Sequence, residues 1–176
     1  MDRRPGAASE LVASPLPAVF DRESRVLILG TLPSPASRER GCHYGNPQNR
    51  FWRVLSALWD EEEPRDNEGR RSLLCRRHLA LHDVLASARI TGASDASIRD
   101  PVPNDLAPLL ATTQVRAIFC TGQAAGRLYR TYLEPQVGMT CTVLPSTSPA
   151  NARWRLEDLV RAYAPVREAA ERGMCP

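Results

Sequence analysis

Two short stretches constrain this chain more than anything else in it. "RVLILGT" (25–31) and "VRAIFCTG" (115–122) are continuous apolar runs of strand length, each ended at or beside a turn-forming Gly. A strand with no polar face has nothing to offer water, so both of its sides must be covered. Antiparallel sheets usually leave one face wet and alternate in polarity, which these runs do not. A parallel sheet lying between helices is the arrangement that covers both faces.

The rest of the chain supplies the remaining layers. "MTCTVLPS" (139–146) reads as a further strand, and "HLALHDVL" (78–85) fits strand or helix, with its alternation and the polar loop after it favouring strand. Phe51, Trp52, Leu55, Leu58 and Trp59 recur at helical spacing, so a helix is expected from Pro47 to about Trp59. "DLAPLLATT" (105–113), "QAAGRLYRTYL" (123–133) and "NARWRLEDLVRAYAPV" (151–166) read as helices. "DEEEPRDNEGRR" (60–71) reads as a charged surface connection, and residues 86–105 as a long irregular loop of the kind that carries function. Strand and helix alternate four times, an α/β pattern with a mostly parallel four-stranded sheet. Residues 1–24, rich in Pro, Ala and Ser, form an irregular lead-in with room for one short helix; 25–170 make one domain, and 171–176 a tail.

Length and composition narrow the function classes. A chain of 176 residues suits a single domain, and 43% hydrophobic with 24% charged residues is ordinary for a soluble globular protein. No apolar run approaches the roughly 20 residues that span a bilayer, and the N-terminus lacks the apolar segment of a secretory signal. Five cysteines without a CxxC pair suggest reduced thiols and a cytoplasmic protein. All 23 basic residues are Arg, a bias that a GC-rich genome or a function can each produce. Either way, no lysine amine is available for Schiff-base chemistry.

In parallel α/β sheets, ligands bind beyond the carboxyl ends of the strands. The polar clusters of this chain fall there: "TLPS" after the first strand, "ASARITGASD" after the second, "TGQ" after the third and "PSTSPAN" after the fourth. These define one crevice with four walls. "GTLPS" is neither GxGxxG nor GxxxxGK[ST], and no GxSxG elbow occurs, so nucleotide cradling and serine-hydrolase chemistry have no support. Cys42 beside His43 resembles a thiol nucleophile with its base, but adjacent side chains rarely face each other. Cys75, His78 and His82 mimic a zinc half-site without its other half, and packing or surface roles suit them better. In "SDASIRD" (94–100), Ser94 and Asp95 read as backbone caps, with phosphate contact through Ser97 or Arg99 as the alternative. In "LPSTSPANARWR" (144–155), the hydroxyls of Ser146, Thr147 and Ser148 precede Asn151 and a helix bearing Arg153 and Arg155. That is either a phosphate site at a helix N-terminus or an ordinary capped turn.

The order of "GTLPS", "YGNPQNRFW", "LHDVL", "GASDASI" and "LPSTSPANA" resembles the uracil-DNA glycosylase superfamily, most closely its hypoxanthine (deoxyinosine) branch. The resemblance covers about residues 25–165. It implies a three-layer α/β/α sandwich with a short parallel sheet, and a monofunctional monomeric enzyme that needs no metal or cofactor. Such an enzyme flips a deaminated base out of DNA and hydrolyses its N-glycosidic bond. Carried over by position, the resemblance puts Tyr44 against the flipped base, with Thr31, Leu32 and Pro33 lining its pocket. Asn49 becomes the catalytic amide, holding the water or donating to the leaving base, with Asn46 as its rival. Ser34, together with Ser146, Thr147, Ser148, Ala150, Asn151 and Arg153, would grip DNA and fill the emptied stack. Asp83 stands where relatives carry a base-reading side chain and would accept N1–H of hypoxanthine or N3–H of uracil; capping the next loop is its alternative role. Leu32 and Leu144 replace the Asn and His that many relatives carry, which moves the burden onto Asn49. A non-catalytic nucleic-acid or nucleobase-binding module on this scaffold is the alternative function, and a small-molecule hydrolase using Cys42 a third.

Overall fold

Strand β2 (Val26–Gly30) is the spine of the molecule, and its continuous apolar run has a simple cause. Val26 and Ile28 enter one buried cluster while Leu27 and Leu29 enter another, and none of the four retains solvent exposure. Each face of the strand therefore serves a separate core. In the computed structural model, which describes residues 9–91 and 95–172, β2 lies between β3 (Leu79–Asp83) and β6 (Ala117–Thr121). Strand β7 (Cys141–Leu144) completes a parallel sheet ordered β3-β2-β6-β7. The expected α/β sandwich is what the chain builds.

One face is covered by α2 (Phe51–Leu58), α3 (Asn67–Arg76) and α7 (Leu156–Glu171), whose Phe51, Leu55, Leu73, Leu159 and Tyr163 join Val26 and Ile28. The other is covered by α4 (Ala107–Thr112) and α5 (Gln123–Tyr132), through Leu109, Ala125 and Tyr129. Complete burial of one large aliphatic side chain contributes about 1.5–3 kcal/mol, so these two clusters are the main source of stability. The two largest fully buried side chains are tyrosines with satisfied hydroxyls: Tyr129 donates to the Met139 carbonyl at 2.7 Å and Tyr163 to that of Pro145 at 2.8 Å. Two short helices, α1 (Pro35–Arg40) and α6 (Glu134–Val137), fill connections.

Several expectations need correction. The stretch 86–105, read as irregular, contains β4 (Leu85–Ile90) and β5 (Arg99–Pro103), separated by a 3-10 turn at Asp95–Ser97. With β1 (Glu10–Ala13), inside the stretch read as an irregular lead-in, they form an antiparallel sheet ordered β1-β4-β5. Their signal is weak because only Val12 is buried in β1, and β4 and β5 pair through register shifts. The charged connection 60–71 runs into α3, whose start is capped by the Asp66 carboxylate accepting from Gly69 N–H at 2.7 Å. The final helix begins at Leu156 rather than Asn151, with Asp158 accepting from the Arg155 N–H at 3.3 Å. Residues 151–155 are thus loop, and the hydroxyls of Ser146–Ser148 do not sit at a helix N-terminus. The cap expected of Ser94 lies outside the described residues. No helix among the described residues is long and apolar enough to cross a membrane.

Candidate active site

The carboxyl ends of the four parallel strands open into a cleft of about 520 Å³. It gathers most of the residues that the sequence singles out. Thr31, Leu32, Pro33 and Ser34, which follow β2, form one part of its lining, and Ser146, Thr147, Ser148, Ala150 and Asn151, which follow β7, another; Tyr44, Asn49 and Asp83 line it as well. Two of the expected residues lie elsewhere. Asn46 does not line the cleft; its Oδ1 accepts from the Gln48 N–H at 2.9 Å and its carbonyl from the Asn49 N–H, so it shapes the turn. Arg153 lies in a separate open groove with Trp154, Asp158 and Arg161. Cys42 does not line the cleft; together with His43 it borders a separate small cavity, where it takes a hydrogen bond from Arg70 Nη1 at 2.8 Å and its thiol meets the His43 backbone carbonyl at 3.5 Å rather than the imidazole ring. Leu144 is buried in the core at the end of β7.

The floor is built by close packing at Gly30. A methyl carbon added there would come within 2.5 Å of Asp83 Oδ1 and 3.1 Å of the Tyr44 hydroxyl. Gly30 pairs with Asp83 across β2 and β3, so the carboxylate folds directly over the glycine. The variant Gly30→Ala is expected to displace Asp83 and to lower stability by about 1–3 kcal/mol, as overpacking of a tight site does. Thermal denaturation against the parent chain measures this; an unchanged melting temperature would refute the tight floor.

Tyr44 takes a left-handed backbone conformation, φ 54°, which is uncommon outside Gly and is held here by contacts on its ring. The ring stacks on Phe51 with centroids 3.8 Å apart and an interplanar angle of 12°, and its hydroxyl meets Thr121 Oγ1 at 2.6 Å. Phe51 covers one ring face, and Tyr44 is among the residues that line the cleft. Burial pushes its phenol well above the ordinary tyrosine range, so it stays neutral.

Asn49 is pinned through its carbonyl. Oδ1 accepts from the Phe51 backbone N–H at 3.0 Å and from the Thr147 hydroxyl at 2.8 Å. A backbone N–H can only donate, so the atom facing it is oxygen and the orientation of the amide is fixed by chemistry. Nδ2, which makes no hydrogen bond among the described residues, is the end left for the cleft. Arg50, the next residue, fixes the opposite wall. Its guanidinium donates to the carbonyls of Thr147, Ser148, Asn151 and Trp154, at 2.9–3.3 Å for the first three, and its backbone N–H also donates to Thr147. Consecutive side chains thus tie "NPQNRFW" to "STSPANARW".

Among the further residues that line the cleft, three bear directly on those already described. His43, nearly fully buried, reaches Asp83; Thr121 holds the Tyr44 hydroxyl; and Asp95 takes a long hydrogen bond of 3.4 Å from Thr31 Oγ1. Burial raises Asp95 above the usual carboxylate range, against the Thr31 bond and the Arg127 charge. The only sequence signal for them was position at strand ends or within the polar motifs.

A cleft that brings an aromatic ring, a carboxylate and an amide together at the carboxyl edge of a parallel sheet has the kinds of group that an extruded base would need. Comparison with known proteins agrees. Residues 17–170 match the family model described as the uracil DNA glycosylase superfamily. The chain is 35% identical over 140 residues to the hypoxanthine DNA glycosylase of Methanosarcina acetivorans, covering 78% of this chain and 87% of that protein. It is 32% identical over 144 residues to the hypoxanthine DNA glycosylase of Methanosarcina barkeri, with the same coverage. A solution NMR structure from Methanosarcina acetivorans, assigned provisionally as a uracil DNA glycosylase, superposes with a TM-score of 0.77 at 31% identity, covering 91% of this chain and 99% of that one. The chain belongs to the uracil DNA glycosylase superfamily, and it is a DNA glycosylase.

Proposed function

We propose that this chain flips hypoxanthine out of DNA into the cleft and hydrolyses its N-glycosidic bond, the opening step of base-excision repair. Water adds to C1′ of the sugar, the C1′–N9 bond breaks, and the base leaves with the electron pair and then takes the proton. What the protein must supply is stabilisation of an electron-rich leaving base, which is a task for hydrogen-bond donors. The observation that carries the reading is the fixed amide of Asn49, whose oxygen is occupied by Phe51 and Thr147. Its donor end is therefore the one presented to the base. That supports donation to the leaving group over holding a water, with Asn46 as a turn residue.

The same geometry supports the other roles. Tyr44 is the stacking face, kept neutral and backed by Phe51. Asp83 presents an acceptor, matching N1–H of hypoxanthine and also N3–H of uracil or an N–H of xanthine. Thr31, Leu32, Pro33 and Ser34 complete the pocket wall, Ser146, Thr147, Ser148 and Asn151 meet the DNA backbone, Ala150 enters the emptied stack and Arg153 reaches a flanking phosphate from its groove. A chain with no lysine suits a monofunctional hydrolysis that stops at the abasic site. This enzyme acts as a monomer on DNA.

The test is a panel of oligonucleotides carrying inosine, uracil or xanthine, single- and double-stranded, treated with enzyme and then hot alkali. A strand break at inosine, with free hypoxanthine in solution, is the expected result. Lesion-specific binding with no base release under excess enzyme would instead favour a binding module.

A further inference from the structure

The residue least promising in the sequence becomes the most informative in the structure. His43 is almost completely buried, and both of its ring nitrogens face acceptors. Nε2 lies 3.1 Å from the Pro17 carbonyl oxygen, which can only accept, so this nitrogen carries a proton. Nδ1 lies 3.2 Å from Asp83 Oδ2, an ion-pair contact whose alignment falls short of a hydrogen bond. A proton on Nδ1 makes that contact attractive, whereas an unprotonated nitrogen would set its lone pair near the carboxylate oxygen. The other carboxylate oxygen, Oδ1, lies over Gly30 beside the Tyr44 hydroxyl, on the cleft floor.

We propose that His43 is a positioning residue for base selection: as an imidazolium behind Asp83, it pairs with Oδ2 and keeps the carboxylate turned so that Oδ1 offers an acceptor to the flipped base. The proposal rests on the reading of the cleft as a hypoxanthine pocket and goes further by naming what keeps its acceptor an acceptor. A buried carboxylate without a cation favours its neutral form, which carries a proton and becomes a donor. A donor at that point meets the N1–H of hypoxanthine head-on. The pair is thus a chemical filter for bases with a proton on that edge, against adenine and cytosine, which present a lone pair there.

The surroundings agree with one charge on this ring. Burial opposes protonation of His43, but the Asp83 carboxylate and the Pro17 carbonyl outweigh it and raise its pKa. The neighbouring His82, edge-on with ring centroids 6.2 Å away, is pushed down, chiefly by burial, and stays neutral. On the other sides, Tyr44 is a neutral phenol, and the Arg70 guanidinium is engaged with the Cys42 thiol and the Trp52 ring.

Two measurements on the full chain decide it. In the first, nitrogen-15 spectra of the histidine rings are expected to show His43 doubly protonated at pH 7, and Asp83→Asn to shift it toward the neutral form. A neutral ring in the parent chain would overturn the proposal whatever the substrate. In the second, single-turnover release of hypoxanthine from an inosine duplex is followed across pH. His43→Asn keeps a donor beside Asp83 but loses the cation, so the acid limb of its profile is expected to move to higher pH, with activity recovering at alkaline pH. A purely structural role would lower the rate equally at every pH, and that result, or an unmoved limb, would also overturn it. Parent protein that releases no hypoxanthine at any pH would sink the substrate reading instead, and the ring spectra would still judge the charged pair.

Discussion

Arg50→Ala is expected to be the most destabilising single change at the site. The guanidinium donates to four backbone carbonyls of residues 147–154. Those carbonyls have been drawn together by one cation and cannot find equivalent partners without moving apart. Hydrogen bonds to a charged group contribute about 1.5–3 kcal/mol each but are not additive, so a total loss of about 3 kcal/mol is expected. For a chain of this size that corresponds to a fall of roughly 6–12 °C in melting temperature. Arg50→Lys keeps the charge, but a compact ammonium cannot span four carbonyls, so it should recover less than half of the loss. Thermal denaturation checks both variants, and DNA titration should show weakened binding, since the loop carrying Ser146–Asn151 would no longer be held against the cleft. A melting temperature within about 1 °C of the parent would show that the clamp is not what orders that loop.

Asn49→Ala should cost the most activity. Removing one donor aimed at developing negative charge typically lowers the rate by about 10²–10³-fold, and the effect here should fall on the chemical step with DNA affinity largely kept. The same change removes the acceptor for the Phe51 N–H at the start of α2 and for Thr147, adding about 1 kcal/mol of lost stability. Single-turnover kinetics separate the two effects, because substrate-saturated enzyme that remains folded still reports the slow chemistry. Retention of more than half of the parent rate would remove Asn49 from the mechanism.

Much of the fold was legible because burial on both sides leaves a mark in the sequence. Val26–Leu29 and Ile118–Cys120 are apolar without interruption since each neighbour faces a different core. Phe51, Trp52, Leu55 and Leu58 show the helical period because α2 is covered along one side. The antiparallel sheet left no such mark: β4 is interrupted by Ser87 and Arg89, and β1 is a four-residue strand with one buried side chain. Helix α3 buries only Leu73 and Leu74, so its charged start resembles a loop.

At the site, residue types were legible and partnerships were not. "YGNPQNRFW" announces an amide and an aromatic, but which Asn turns inward depends on the turn that Asn46 closes. Arg50 has the composition of any surface cation; its role comes from carbonyls about a hundred residues away. His43 was discounted as half of an implausible pair with Cys42, while its actual partner, Asp83, is brought to it by the register of β2 with β3.

The measurement that bears most directly on the account is single-turnover release of hypoxanthine from an inosine duplex by Asn49→Asp. The carboxylate is nearly isosteric with the amide and still accepts from Phe51 N–H and Thr147, so the fold and the loop contact are preserved. It has no donor, and it places an anion where charge develops on the leaving base. A rate at least as low as that of Asn49→Ala is expected, with melting temperature near the parent. A rate close to the parent would mean that position 49 serves as an acceptor for the water, and the donor role assigned to it would be wrong.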